Sequence, residues 1–314
     1  MKNIFNCVVF LFLLVSCKSE GDKKTDIVSA ENEKTNSLVN TSKQAFSEKE
    51  NFKKYWYAGK AELNSYVLKQ SRYNEIRTGE VVLIFVTEPF SLSKQVKLDA
   101  PQKAGDDKVT VMKLNQVRKF HTGIYDYSIV TSTFTPVDYI NYPLTLKTTT
   151  SIQEWCGHTF TQLNLEGMQY NFKQFSYFES DGDEERSFKA AWLEEDLMTR
   201  IRIQDGQLPE GEIMLIPSTI YSRFTYTKMQ AQKANIKKEA LENTTSYTVT
   251  YLDIDRTVTI LVEKEFPYKI LEWTEDNGDG LVTSATLKAS LKEPYWNQKS
   301  LEDASKREAL KLLQ

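Results

Sequence analysis

Three cysteines and two histidines are all that the 314 residues contain of the residues that usually hold transition metals. His121 and His158 argue against a histidine-rich metal site or a multi-histidine active site. Basic charge is also not in excess: 40 Lys and Arg face 43 Asp and Glu, for a net charge of −3. A field of the kind that recruits nucleic acid is therefore missing. No G-x-S-x-G, G-x-x-x-x-G-K-[ST], H-E-x-x-H or G-x-G-x-x-G occurs, which removes the best-marked hydrolase, nucleotide and zinc-protease signatures. No internal repeat is visible, and no apolar run reaches the roughly 20 residues a spanning helix needs. What the chain does have is aromatics, 12% of residues with 16 Tyr and 16 Phe. Such side chains suit half-buried pleated surfaces, so a β-rich fold is expected.

The amino terminus carries an address. Lys2 precedes the apolar run Phe10-Leu11-Phe12-Leu13-Leu14-Val15, and Leu14-Val15-Ser16-Cys17 has the layout of a bacterial lipobox. Residues 1–16 then form a lipoprotein signal peptide, and Cys17 becomes the acylated first residue. Several acyl chains, unlike one, anchor a protein stably. Lys18, rather than Asp, points to the outer membrane, on the periplasmic or the surface side. Cys7 leaves with the leader, so acylated Cys17 and Cys156 cannot form an intramolecular disulfide. Residues 17–45 are rich in Lys, Glu, Ser, Thr and Asn and read as a disordered tether. Residues 46–314 are the globular region, with a break near 180–210 if it holds two sheet subdomains.

Within that region the fold class is mainly β (α+β), with curved antiparallel sheets or open half-barrels and a few peripheral helices. Ser47 and Glu50 have capping-box spacing and predict a short helix through Lys54. Strands are expected over 62–73, 80–87, 109–118, 124–134, 144–150, 159–165, 170–179 and 199–203, and a short strand or loop over 213–217. A meander over 247–252, 257–264, 269–274 and 281–287 follows. A turn is placed at Arg77-Thr78-Gly79. Helices are expected over 188–198, 229–243 and, at the carboxyl end, 301–313, with Ser300 and Asp303 as its cap.

Two motifs suggest chemistry. Glu154-Trp155-Cys156-Gly157-His158 contains the Trp-Cys-Gly-His that opens a disulfide-isomerase site, but Thr159 stands where the resolving cysteine is needed. On a strand Cys156 and His158 would share a face, making Glu154, Cys156 and His158 a weak candidate site. The simpler expectation is a packed cysteine beside a hydrogen-bonded histidine. Residues 275–286 loosely overlay a calcium loop, with Asn277 and Asp279 as weak ligand candidates. Thr286 replaces the bidentate Glu, and a hairpin turn reads better. Asp181, Asp183, Glu184 and Glu185 read as a solvated acidic turn. No catalytic residue, cofactor or metal is assigned.

The lipobox, the segment Tyr55-Trp56-Tyr57-Ala58-Gly59-Lys60-Ala61-Glu62-Leu63, the run Val81 to Glu88 and Gln153-Glu154-Trp155-Cys156-Gly157-His158 together resemble an uncharacterised family of Bacteroidetes-type lipoproteins. The resemblance covers nearly the whole chain. Its members often carry the label septum formation inhibitor Maf, whose phosphate site, a Ser-x-Arg-Arg-like motif after the first strand, has no counterpart here. The resemblance thus implies an envelope location and a β-rich fold, with no activity attached.

The function expected is non-enzymatic binding of an apolar or extended ligand by an envelope lipoprotein, in a curved sheet like that of LolA-type carriers. An envelope scaffold that meets a protein partner is the alternative, and a carboxylate-based hydrolase the third reading. The expected partners are the membrane, through Cys17, and such a ligand or protein, with no nucleic acid.

Overall fold

The structure is a computed structural model that describes residues 45–312. The expected signal peptide, Cys17 and all but the last residue of the expected tether lie outside the described residues.

Alternation of apolar and polar residues shapes the described chain. Strands β1 (Ala61–Arg72), β2 (Glu75–Ser91), β3 (Lys108–Thr122), β4 (Tyr125–Pro136), β5 (Lys147–Glu154), β6 (Gly157–Glu166), β7 (Gln169–Ser176) and β8 (Glu184–Lys189) form one antiparallel meander. The short β9 (Trp192–Leu193) pairs parallel with β10 (Gly211–Ile216). From β10 the second meander runs through β11 (Gln232–Ala240), β12 (Thr244–Tyr251), β13 (Thr257–Glu263), β14 (Ile270–Asp276) and β15 (Val282–Glu293). Pairing of β1 with β15 joins both into one 15-stranded sheet whose free edges are β8 and β9. The stretch 180–210, where a subdomain break is expected, thus holds both edges of a single sheet.

The sheet curls on itself. Arg118 on β3 and Glu275 on β14 are four strand steps apart, roughly 19 Å on a flat sheet, yet their side chains meet at 2.6 Å. The space so enclosed is filled by the helical segments before and after β10, which form a plug. Helix α2 (Leu197–Ile203) buries all seven residues, and α3 (Thr219–Thr225), whose Ile220 joins the same core cluster, has its amino end capped by Ser218. Leu197, Met198 and Ile201 of α2 share one cluster with Phe85, Leu114, Ile129, Tyr247, Val258 and Ile260 from the surrounding strands. On another wall β4 and β5 present Thr131, Thr133, Thr135, Thr148 and Thr150, all buried. Two of these hydroxyls lead to the plug: Thr150 meets Thr219 at 2.6 Å, and Thr135 meets Thr145, which donates to Asp196 at 2.6 Å.

Several expectations are corrected. The first hairpin turns at Tyr73-Asn74, both at positive φ (55° and 58°), the backbone a two-residue primed turn needs. Gly79 is not in a turn but within β2, where a methyl group would lie 2.1 Å from the carbonyl oxygen of Lys119. The glycine is there for close approach. Helix α1 spans Glu50–Trp56, and its amino end is Lys49 without a side-chain cap, so Ser47 does not close the predicted box. The helix expected over 188–198 is instead the end of β8, β9 and a 3-10 turn at Glu194–Asp196, and the strand expected over 199–203 belongs to α2. The helix expected over 229–243 is β11, because ladders to β10 and β12 outweigh its helix-favouring composition. The carboxyl-terminal helix is short, a 3-10 turn Leu301–Ala304 followed by α4 (Ser305–Ala309), with the predicted Ser300–Asp303 capping box formed. Leu301 is exposed and Leu310 is buried against Ala61, Leu63 and Val86.

Candidate functional site

The curled interior is nearly full. Between plug and wall a cavity of about 50 Å³ remains, lined by Arg118, Thr131, Glu194, Glu195, Trp273 and Glu275 among others. That is room for a few waters. Its acids are far from equivalent. Glu275 accepts from Arg118 Nη2 at 2.6 Å and from Trp273 Nε1 at 3.0 Å. Burial pushes its carboxyl up, but the Arg118 and Arg256 guanidinia and these hydrogen bonds win, leaving it at about 2. Glu194 accepts from Arg256 Nε at 2.8 Å and from the Tyr251 hydroxyl at 2.9 Å. Glu195 uses Oε1 to accept from the Thr219 amide at 2.5 Å and its hydroxyl at 2.8 Å. Its Oε2 is buried without a partner. Burial, helped by the charge of Glu194, pushes the Glu195 carboxyl up to about 7 against the opposing bonds from Thr219. An acid and a base are thus built into one cavity, but the base is locked by two arginines and the space admits no substrate.

A second ionic centre ties α2 to β1. Arg202 Nη2 lies 2.5 Å from both oxygens of Glu62, and its guanidinium carbon sits 5.1 Å from the Trp56 ring and 4.8 Å from that of Phe85. Glu62 also accepts from Tyr55 at 2.5 Å and from Asn64 at 2.7 Å.

Outside the sheet, a groove of about 340 Å³ runs between the end of α1, β2 and the turn Tyr295–Asn297. Trp56, Tyr57, Val86, Pro89 and Trp296 line it, with Lys60, Glu88 and Lys97 at its polar positions. Trp56 has a buried indole N–H without a partner. Tyr57 and Trp296 are both exposed, and the Tyr57 hydroxyl donates to Glu48 at 2.8 Å. The volume falls in the lower range for ligand sites, and the lining is of the apolar kind such sites use.

The residues singled out from sequence lie elsewhere. Glu154, Cys156 and His158 sit at the β5–β6 hairpin, where Trp155-Cys156 forms the two-residue tip. Cys156 is exposed rather than packed, which corrects the packed-cysteine expectation. A turn position has no strand partner to cover it. The Cys156 amide donates to Glu154 Oε2 at 2.8 Å, and the thiol's own hydrogen bond to that carboxylate, with the carboxylate's charge, pushes the thiol up. This is opposite to what a nucleophilic thiolate needs. Asn277 and Asp279 lie in the β14–β15 turn. Asn277 Oδ1 accepts from Arg256 at 2.5 Å, and Asp279 accepts from the Ser71 hydroxyl at 3.1 Å and the Leu281 amide at 3.0 Å. Among the described residues no group of three or more His, Cys, Asp or Glu is arranged to hold a metal ion. Nothing in the sequence spacing brings Trp296 to Tyr57.

No family model matches the chain, and no curated protein matches it. The uncharacterised lipoprotein family resembled by its motifs therefore gains no support from these comparisons, and nothing in them points to a Maf protein. Among solved structures, the chain is similar to the β-barrel-like protein of a domain of unknown function, DUF1849, from Brucella abortus. The two share 12% identity at a TM-score of 0.45, over 74% of this chain and 97% of that one.

Proposed function

We propose that the protein is a non-enzymatic lipoprotein of the cell envelope, held to the outer membrane through acylated Cys17, that binds an apolar or extended ligand in the groove beside α1. The observation that carries this reading is the contrast in free space: about 50 Å³ inside the curl and about 340 Å³ in an aromatic-lined groove outside it. A carrier that holds its ligand within the sheet would need the plug removed. A hydrolase would need Glu275 released from Arg118.

A second reading, docking on an envelope protein, rests on one rim of the sheet. The β1–β2, β3–β4 and β5–β6 turns and the end of β7 all fall at that rim. They expose Tyr73, Ile124 at 84%, Trp155 at 68% and Tyr177 at 72%. Apolar side chains displayed together in this way mark contact surfaces.

Two measurements test the main reading. Cys17→Ala is expected to move the protein from the membrane pellet to the soluble fraction, and continued sedimentation with membranes would remove the anchor. On that soluble chain, the neutral apolar probe N-phenyl-1-naphthylamine is titrated by fluorescence. Combining Tyr57→Ala with Trp296→Ala is expected to weaken binding about ten-fold, the loss of two ring contacts. Equal binding by both chains would overturn the groove.

A further inference from the structure

A second pocket, of about 290 Å³, opens at the seam where the sheet does not close. One wall is β7, β8 and the turn before β8; the other is α3 and the residues after it. We propose that this seam pocket binds a small molecule carrying an oxyanion, a carboxylate or a phosphate, on a planar or apolar body.

Its lining holds three cations, Arg186, Arg223 and Lys228, against two carboxylates, Asp181 and Glu184. That balance runs against a chain whose net charge is −3. Arg186 is committed: its Nε donates to Glu184 at 2.8 Å and its Nη2 to the Met229 carbonyl at 2.6 Å. Arg223 is not. Its side chain is only 10% exposed, and its one ionic neighbour is Asp181, 3.0 Å from Nε and outside hydrogen-bond geometry. Nη1 is buried with no partner at all. A buried guanidinium with open donors costs free energy in the empty protein and returns it when an acceptor arrives. Lys228 is exposed and, among the described residues, makes no hydrogen bond or ion pair.

Two rings of the lining, Phe172 and Tyr226, offer an apolar surface beside the cations. The Arg223 guanidinium carbon lies 4.6 Å from the Phe178 ring and 5.3 Å from that of Tyr226. Tyr226 reaches that position from φ 58° at the carboxyl end of α3. Arginine offers paired donors to carboxylate and phosphate alike, so the pocket's chemistry sets the class and not the source.

Inorganic phosphate and benzoate serve as probes, each titrated calorimetrically into the full chain in detergent at low salt. Binding of at least one is expected at about millimolar strength or better. Benzoate alone would mark a carboxylate site that uses the rings, and phosphate alone a phosphate site. Arg223→Gln and Lys228→Gln are each expected to weaken binding about ten-fold or more. Lys228 is exposed, so its variant keeps the parent melting temperature and separates lost binding from lost fold. No heat with either probe at about 10 mM, or binding untouched by Lys228→Gln, overturns the site.

Discussion

Arg202→Met is expected to lower the free energy of unfolding by about 3–5 kcal/mol, the cost of leaving a buried charge without its partner. Arg202 is the charge that offsets the burial of Glu62. Burial alone would push the Glu62 carboxyl up, but the guanidinium and the bonds from Tyr55, Asn64 and Arg202 hold it below its ordinary value. Without Arg202 the carboxylate must be buried bare or take up a proton. Against a typical total of 5–15 kcal/mol, the loss is large enough to read in urea. The pair itself is not expected to be the source of stability. Two Arg202 nitrogens, Nε and Nη1, are buried without partners, so its hydrogen bonding is incomplete. The double variant Arg202→Met with Glu62→Leu should therefore recover most of the loss, because apolar replacement of a whole buried pair is often neutral or better. A single variant costing under about 1 kcal/mol would show that the plug is not held through this pair.

Glu195→Gln is expected to make the protein about 3 kcal/mol more stable at pH 8 and to leave it nearly unchanged at pH 4.5. The folded carboxyl titrates at about 7 and the unfolded one at its ordinary 4.5. The folded state therefore holds the proton more tightly. Its advantage is fully present below pH 4.5 and is lost as pH rises through 7, where the buried group must ionise. Glutamine keeps an oxygen for the Thr219 amide and hydroxyl and has no proton to lose. Urea unfolding of parent and variant from pH 4.5 to 8 should give curves that diverge steadily and then run parallel. Curves parallel throughout would mean that Glu195 ionises without cost. Glu275 acts in the opposite sense: depressed to about 2, its stabilisation is present above pH 4.5 and fades on acidification below it.

The strands are legible where inward and outward residues alternate: 247–252, 257–264 and 269–274 fall within three residues of β12, β13 and β14, whereas β15 runs six residues past 287. The plug is not legible in this way. Arg200 and Arg202 alternate with Thr199, Ile201 and Ile203, a pattern that mimics a half-solvated strand. Only the fold supplies Asp196, 2.7 Å from Arg200, and Glu62 to make their burial tolerable. The spacing of Asp196 and Arg200, four residues apart, was the one local hint of a helix there. β11 failed for the reverse reason. Its lysines and glutamates favour a helix, while the signal that decided it, Ala234 and Ile236 pointing inward, is only two residues deep. The candidate site depends on contacts between the first helix and the last turns, which no local pattern encodes.

The position of the two free edges has a consequence for how the molecule comes together. β8 and β9 are nearest neighbours along the chain yet do not pair, while β1 and β15, far apart along it, do. All other ladders join strands that are consecutive in sequence, so each meander forms by pairing neighbours across links no longer than the 17 residues from Glu194 to Glu210. Completion waits on one distant pairing, which brings in the last strand. Topologically the sheet is a ring already cut between Lys189 and Trp192, and a protease acting there would sever the backbone without breaking a single ladder.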